Sequence, residues 1–335
     1  TPFVNEICPT YENVLVLEET YPVIEMQLSD RMIAGRRSGV VPAEGELTPD
    51  VIRSVLVKFL GLAPVVPVPV STQPGTRPTL CAGCGHRAAF YAIRETFPQG
   101  IFPSDIGCYT LGVNLGAVDT CHCMGAGISQ ATGFYHAYAQ DGTDFPTIVA
   151  TIGDSTFFHS GIPALLNAVA QGARFILVIL DNATTAMTGH QPTPAQGRTA
   201  SGGSSQPILI REVVHGSGVR FLRELDPYDM EAFTAALKEA DRHCRSAEGG
   251  VAVIIASHPC VLQERGGLDE AARTLCVTED CTACRLCLDD LECPAIGWDD
   301  EADTARIDRI ACTGCGVCAY VCPVQAIVAE PGGRT

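Results

Sequence analysis

Eight cysteines near the C-terminus constrain this chain more than any other feature. They form two copies of one pattern. The first reads Cys281-Thr-Ala-Cys284-Arg-Leu-Cys287, then Cys293-Pro294; the second reads Cys312-Thr-Gly-Cys315-Gly-Val-Cys318, then Cys322-Pro323. The second fits C-x2-C-x2-C-x3-C-P, and the first lengthens the last gap by two residues. An iron–sulfur cubane needs four thiolates around one compact core. In a doubled repeat of this kind the tight triplet supplies three, and the fourth comes from the other copy. Cys281, Cys284, Cys287 and Cys322 are therefore assigned to one [4Fe-4S] cluster. Cys312, Cys315, Cys318 and Cys293 are assigned to a second. Zinc takes two C-x2-C pairs rather than two triplets each followed by Cys-Pro. The chain has 17 cysteines in 335 residues. Metal-ligand spacings in a chain this long point to a reducing cytoplasm rather than a disulfide scaffold.

The rest of the chain divides by composition. Residues 1–63 offer one apolar strand, Val14-Leu15-Val16-Leu17, a helical stretch from Pro22 to Ile33, and a helix over Pro49–Leu60 capped by Thr48. That is too little for a domain and reads as the tail of a preceding α/β domain. Residues 64–78 are proline-rich and read as an extended linker. From 79 to 265, apolar strands at Thr147–Ile152, Phe175–Leu180 and Val251–Ala256 alternate with helices at Ile162–Gln171 and Pro227–Cys244. Continuous apolar strands separated by helices predict an α/β fold, a doubly wound parallel sheet covered on both faces. Residues 275–335 carry the cysteine repeat as a small α+β module. No apolar run reaches membrane-spanning length, and no signal peptide is expected. The net charge of −16 argues against nucleic-acid binding, which needs a basic face.

A second chemical signature sits at the strand ends. Gly153-Asp154-Ser155 closes one strand and Asp181-Asn182 closes the next. In a doubly wound sheet, ligands bind beyond the carboxyl ends of the strands. Gly153 lets backbone approach an anion, while Asp154 and the Asn182 carboxamide are hard oxygen donors suited to Mg²⁺. A helix starting near Ser160 would aim its N-terminus at a diphosphate there. The arrangement resembles the thiamine-diphosphate motif, G-D-G/S followed by Asn. That resemblance adds the Thr184 main-chain carbonyl to the Mg²⁺ ligands and gives the backbone around Ser155 and Thr156 to the diphosphate.

Taken together, these motifs resemble the large subunit of the indolepyruvate:ferredoxin oxidoreductases, within the 2-oxoacid:ferredoxin oxidoreductase superfamily. The stretches that carry the likeness are Leu80-Cys-Ala-Gly-Cys-Gly-His86-Arg87, Asp105-Ile-Gly-Cys-Tyr-Thr-Leu-Gly112, Asp119-Thr-Cys-His-Cys-Met-Gly-Ala126, Gly153-Asp-Ser-Thr-Phe-Phe-His-Ser-Gly161, and Asp181-Asn182 through Thr188-Gly-His-Gln191. The cysteine repeat then follows as a ferredoxin-like domain. The resemblance implies that a 2-oxoacid and coenzyme A give acyl-CoA and CO₂, with two electrons passed through clusters to ferredoxin. It also implies a third [4Fe-4S] cluster near the thiamine ring, held by Cys81, Cys84, Cys108 and Cys260. Buried free cysteines are the alternative reading of that set. His86 and Cys108 are expected beside the cofactor. His159 and His190, in loops over it, are candidates for substrate binding or acid–base work. Cys121 and Cys123 flank His122 too tightly for most closed metal sites and are given pocket or packing roles; Cys8, Cys244 and Cys276 are read as structural.

The glutamate that activates thiamine belongs, in this superfamily, to a pyrimidine-binding domain. None fits here, so the resemblance implies that a missing domain or a partner subunit supplies it. A gamma-type small subunit and ferredoxin are the further partners of an expected hetero-oligomer. The other 2-oxoacids (pyruvate, 2-oxoglutarate, phenylglyoxylate) stay open, as does an electron-transfer subunit without its own thiamine site. Iron analysis of anaerobically purified protein should give about twelve irons per chain, four for each of three cubanes. About eight would remove the third cluster.

Overall fold

The computed structural model describes residues 10–28, 33–63, 77–142, 144–199, 201–264 and 275–330. The chain divides into two compact units, Thr1–Thr76 and Arg77–Thr335. Residues 1–9, with Cys8, lie outside the described residues, as does the expected linker apart from its last two positions, 77 and 78.

In the first unit, β1 (Val14–Leu15) pairs in parallel with β2 (Ile33–Ala34), and α1 (Val23–Met26) lies between them in sequence. The helix read from Pro22 to Ile33 starts as expected but ends at Met26, and Ile33 takes a strand partner, Val14. Helix α2 covers Pro49–Leu60. Thr48 Oγ1 accepts from the Val51 N–H at 3.4 Å, and Gly61 ends the helix in the left-handed region at φ 64°. Those are the start and stop signals of a helix: a hydroxyl cap, Pro at the first position and Gly just past the end.

The second unit is built on a parallel sheet. Its elements in order are α3 (Gly85–Thr96), β3 (Pro103–Ser104), a 3₁₀ helix over Cys108–Leu115, β4 (Thr120–Cys121), α4 (Ala126–Gln140), β5 (Val149–Gly153), α5 (Ile162–Ala170), β6 (Ile176–Asp181), α6 (Ile210–Gly216), β7 (Phe221–Leu225), α7 (Met230–Arg245), β8 (Ala252–Ser257) and α8 (Val261–Glu264). Strands run β5-β6-β8-β7, all parallel. An isolated parallel bridge between Ile101 and Ile148 and the β3–β4 pair extend the array beyond β5. β5, β6 and β8 are buried along nearly their whole length. Alternate residues feed two cores, as period-two geometry requires. Val149, Val178, Leu180 and Ile254 face α3 and α7; Ala150, Ile152, Ile179 and Ile255 face α4, α5 and α6. The edge strand β7 carries exposed Arg223 and Glu224, and that charge hides it from a search for apolar runs.

One helix start differs from the sequence reading. The chain turns helical at Asp154, runs through a π turn over Phe157–Gly161 and continues as α5. Ser160 is inside this run, not at its head. Pro163 has no N–H for an i→i−4 bond, and the wider turn before it absorbs the mismatch. The helix N-terminus thus falls directly on Asp154-Ser155-Thr156.

The C-terminal module follows: β9 (Leu275–Val277), α9 (Leu286–Asp289), β10 (Ile296–Asp299), β11 (Thr304–Ile307), α10 (Val317–Val321) and β12 (Ile327–Ala329). β9 pairs with β12 and β10 with β11, both antiparallel. Leu291, Val317, Val321 and Ile327 share one buried core with Phe90 and Ile93 of α3. The module and the sheet domain therefore pack as one body. Among the described residues, no helix is long and apolar enough to cross a membrane.

Helix α4 lies against the sheet through Gly127. A Cβ there would stand 3.1 Å from the Ser104 carbonyl carbon and 3.2 Å from the Thr151 oxygen, both backbone atoms. Gly127→Val should cost about 1–3 kcal/mol by overpacking and lower the melting temperature; an unchanged melting curve would contradict this contact.

Candidate active site and cluster sites

The carboxyl ends of β5, β6 and β8 bring the predicted cofactor residues together. In the sheet register Gly153 stands beside Leu180, and Asp181 beside Ser257. Asp154 is buried. Its Oδ1 accepts the Ser155 N–H at 2.7 Å, while its Oδ2 is buried with no partner. Burial, with the neighbouring Asp181 carboxylate second, raises Asp154 to about 8. A lone buried oxygen beside a second carboxylate is costly unless a cation occupies the gap. The donor set fits Mg²⁺: a carboxylate, the Asn182 carboxamide and the carbonyl of buried Thr184 are all hard oxygens.

The turn after β6 is shaped for this. Asp181 Oδ1 accepts from Ala183 N at 3.1 Å and Asn182 Oδ1 from Thr184 N at 3.3 Å. Ala183 sits in the left-handed region at φ 57°, so the chain reverses at once and sends Thr184 back over the strand ends. Thr185 Oγ1 donates to Ser155 Oγ at 2.8 Å, tying this turn to the helix N-terminus. A helix N-terminus leaves its first N–H groups without partners inside the helix, which suits an anion such as a diphosphate.

Two residues with site roles were not singled out from the sequence. Tyr109 lies over Gly153, where a Cβ would meet its ring at 2.3 Å. Its hydroxyl donates to the Ile106 carbonyl at 2.7 Å and is 2.7 Å from Thr156 Oγ1. Asp105 is fully buried and accepts from Ile106 N, Gly125 N and Gly127 N at 2.9, 2.7 and 3.1 Å. It holds the start of α4 against the site. Neither has a spacing signal; only the fold brings them in.

The predicted histidines separate. His86 is buried edge-on to Tyr109, ring centroids 6.2 Å apart, and burial, followed by nearby His258, lowers it to about 4. It stands behind Tyr109, and Tyr109 is what reaches the Gly153–Thr156 turn. His190 has left-handed backbone at φ 61° and a buried Nδ1 without a partner. His159 lies on the π turn and is exposed.

The cysteines fall in three groups. Cys281, Cys284, Cys287 and Cys322 line one small cavity together with Val277, Trp298 and Ile327. Burial pushes the Cys318 thiol up to about 12, and Cys315, Cys293, Cys312 and Cys287 add to the rise. Cys281, Cys284, Cys287 and Cys322 thus stand together in the fold, and Cys293, Cys312 and Cys315 stand near Cys318. Cys108, at the start of the 3₁₀ helix, is near Cys81 and Cys260, and Cys84 is near Cys81. Buried thiols alone resist ionisation; iron supplies the charge that favours the thiolate. Among the described residues no three His, Cys, Asp or Glu side chains close on a single ion. Ligands around a four-iron core stand farther apart than ligands around one ion. Cys121 donates to the Asp105 carbonyl at 3.4 Å, while His122 and Cys123 are exposed, so these three form no triad. Cys244 is buried in the sheet core, and Cys276 lies on β9.

Comparison with known proteins defines the class. Residues 105–256 match the family described as thiamine pyrophosphate enzyme, C-terminal TPP binding domain, and residues 305–328 match the 4Fe-4S binding domain. The chain thus joins a thiamine-diphosphate-type α/β domain to a 4Fe-4S ferredoxin-like module. It is similar to the proteins named indolepyruvate oxidoreductase subunit IorA. It is 40% identical to that of Archaeoglobus fulgidus over 94% of this chain and 52% of the relative, and 37% identical to that of Methanothermobacter thermautotrophicus over 98% and 54%. The chain spans about half the length of these relatives. A solved 2-oxoglutarate:ferredoxin oxidoreductase from Magnetococcus marinus aligns at 20% identity over 56% of this chain and 66% of that one, with a TM-score of 0.46.

Asp154→Ala should abolish retention of Mg²⁺ and thiamine diphosphate while leaving the visible iron–sulfur absorption unchanged. Cofactor extraction and an absorption spectrum of one preparation check both halves of that outcome.

Proposed function

We propose that this chain is the diphosphate-binding and electron-exit part of a thiamine-diphosphate-dependent 2-oxoacid:ferredoxin oxidoreductase acting on an aryl 2-oxoacid of the indolepyruvate kind. In balance, R-CO-COO⁻ and CoA-SH give R-CO-S-CoA, CO₂, one proton and two electrons, and two ferredoxins take the electrons singly. Residues 79–265 are the cofactor domain, 275–335 the electron-exit domain, and 1–63 the end of a preceding domain. The pyrimidine-binding half of the site, with its activating glutamate, comes from another domain or partner, alongside a gamma-type small subunit. A cytoplasmic setting suits oxygen-sensitive clusters.

One observation carries this reading. The Cys81–Cys84 loop, which starts α3 behind the cofactor site, touches the Cys312–Cys315 loop of the module. Gly83 has φ 66°, and a Cβ on it would stand 1.9 Å from Thr313 Oγ1. Tyr228 closes the same contact by donating its hydroxyl to the Gly83 carbonyl. A nonredox thiamine enzyme has no use for cysteine triplets packed this closely behind its cofactor.

Thiamine diphosphate, when bound, supplies the reactive carbon and the electron delocalisation that decarboxylation needs. The chain's own residues do the rest. Asp154, Asn182 and the Thr184 carbonyl hold Mg²⁺. The Ser155–Thr156 backbone receives the diphosphate, and Tyr109 fixes that turn through Thr156. His190, with its unpartnered Nδ1, is the better placed of the two loop histidines to hold a proton at a bound substrate. The cysteines carry electrons away from a site that Leu80, Phe90 and Tyr109 keep dry.

The test is substrate profiling of the anaerobic complex with a viologen acceptor, with and without CoA. Indolepyruvate or phenylpyruvate should exceed pyruvate at least tenfold in kcat/KM, about 1.4 kcal/mol of discrimination, and reduction should need CoA. Equal rates with pyruvate would remove the aryl preference. A complex that reduces viologen yet yields no thiamine diphosphate on extraction would make the chain an electron-transfer subunit only.

A further inference from the structure

Arg87 is a charged side chain buried at the contact between the cofactor domain and the module. It lies in the first turn of α3 and is 3% exposed. Its guanidinium donates to the carbonyls of Leu291 and Leu80, and to that of Cys81 at 3.4 Å; its Nε is buried without a partner. Leu291 belongs to the module, 204 positions away. The neighbouring contacts are ordinary ion pairs: Arg94 meets Asp290 at 3.4 Å, and Arg77 meets Glu292, all with partly exposed side chains. Arg87 bonds only carbonyls. A buried guanidinium satisfied by neutral acceptors keeps its full charge, because arginine does not deprotonate in proteins.

Something must neutralise it. Cys293, Cys84 and Cys315 are the groups whose charge bears on Arg87 most, ahead of Glu292, which Arg77 already engages. Cys84 belongs to the set Cys81, Cys84, Cys108 and Cys260; Cys293 and Cys315 belong to the set with Cys312 and Cys318. Arg87 therefore stands between two of the three cysteine groups. None of Cys281, Cys284, Cys287 and Cys322 is among the charges that bear on Arg87 most.

We propose that Arg87 is an electrostatic tuning residue for electron transfer, its buried charge stabilising the reduced forms of the two clusters that flank it and raising their potentials above that of the third. The inference rests on the cluster reading above. Each reduction adds one negative charge to a cubane held in a low-dielectric contact, and a fixed cation there favours that added electron. The same guanidinium fastens the module by its Leu291 bond, so the group that sets the potential also fixes the separation. Its role is positional and electrostatic, since it touches neither substrate nor the thiamine site.

The test is an anaerobic redox titration of the whole complex, followed by electron paramagnetic resonance, with Arg87→Gln and Arg87→Lys. Gln should change the reduced-to-oxidised ratio of two clusters by about tenfold towards oxidised at a fixed potential, near 59 mV for a one-electron couple. The third cluster should stay within a factor of two. Lys, which keeps the charge, should stay close to wild type. Equal shifts in all three clusters, no shift, or a Lys variant as displaced as Gln would each overturn the proposal. If the Gln variant does not take up its clusters, the Lys variant decides. Normal loading and potentials support the charge; loss of clusters as in Gln assigns Arg87 to docking alone. A wild-type complex without clusters would fail the functional reading itself, a result that iron analysis separates from the rest.

Discussion

The larger unit depends on α3 being buried on two sides. Eight of its twelve residues are buried. Ala88, Ala89, Ala92 and Ile93 pack into the core that joins the sheet to the module, and the small residues let both neighbours come close. The helix begins at the Cys81–Cys84 loop, presents His86 towards Tyr109 and drives Arg87 into the module. One short amphipathic element thus couples a cofactor-type strand-end site to a cysteine-rich domain. Apolar burial in common with Leu291, Val317 and Ile327 fixes this contact.

The strand-end site rests on a different force. Parallel strands end together at Gly153, Asp181 and Ser257 because their registers align, so two carboxylates and a carboxamide meet in one dry corner. That meeting is unfavourable for the protein alone, as the elevated Asp154 and its unpartnered oxygen record. Buried unsatisfied charge of this kind is stored where a ligand is meant to relieve it. The π turn serves the same end. It lets the helix start on the residue after Gly153 and still pass Pro163 in the next turns.

Much of the chemistry was legible because it is periodic or punctuated. The cysteine triplets announce themselves by spacing, and the doubling is what suggests a crossed assignment. Apolar strands in a doubly wound sheet read as unbroken runs, so three of the four main strands stood out, and the Pro49–Leu60 helix followed from its cap and stop. The charged edge strand β7, the true helix start at Asp154 and the brevity of the helix after Pro22 did not stand out. Each depends on a neighbour: β8 for β7, Pro163 for the π turn, Val14 for Ile33.

By itself the sequence determined what could be bound: thiolates in fours, hard oxygens at two strand ends, and an anion at a helix start. Those are local properties of residue type and interval. The tertiary structure alone decided who stands between the sites. Tyr109 over Gly153, Asp105 beneath α4, Gly83 against Thr313 and Arg87 between two cysteine groups are all pairings over long sequence separations. No local pattern encodes them, because only packing of the whole core brings such residues within reach.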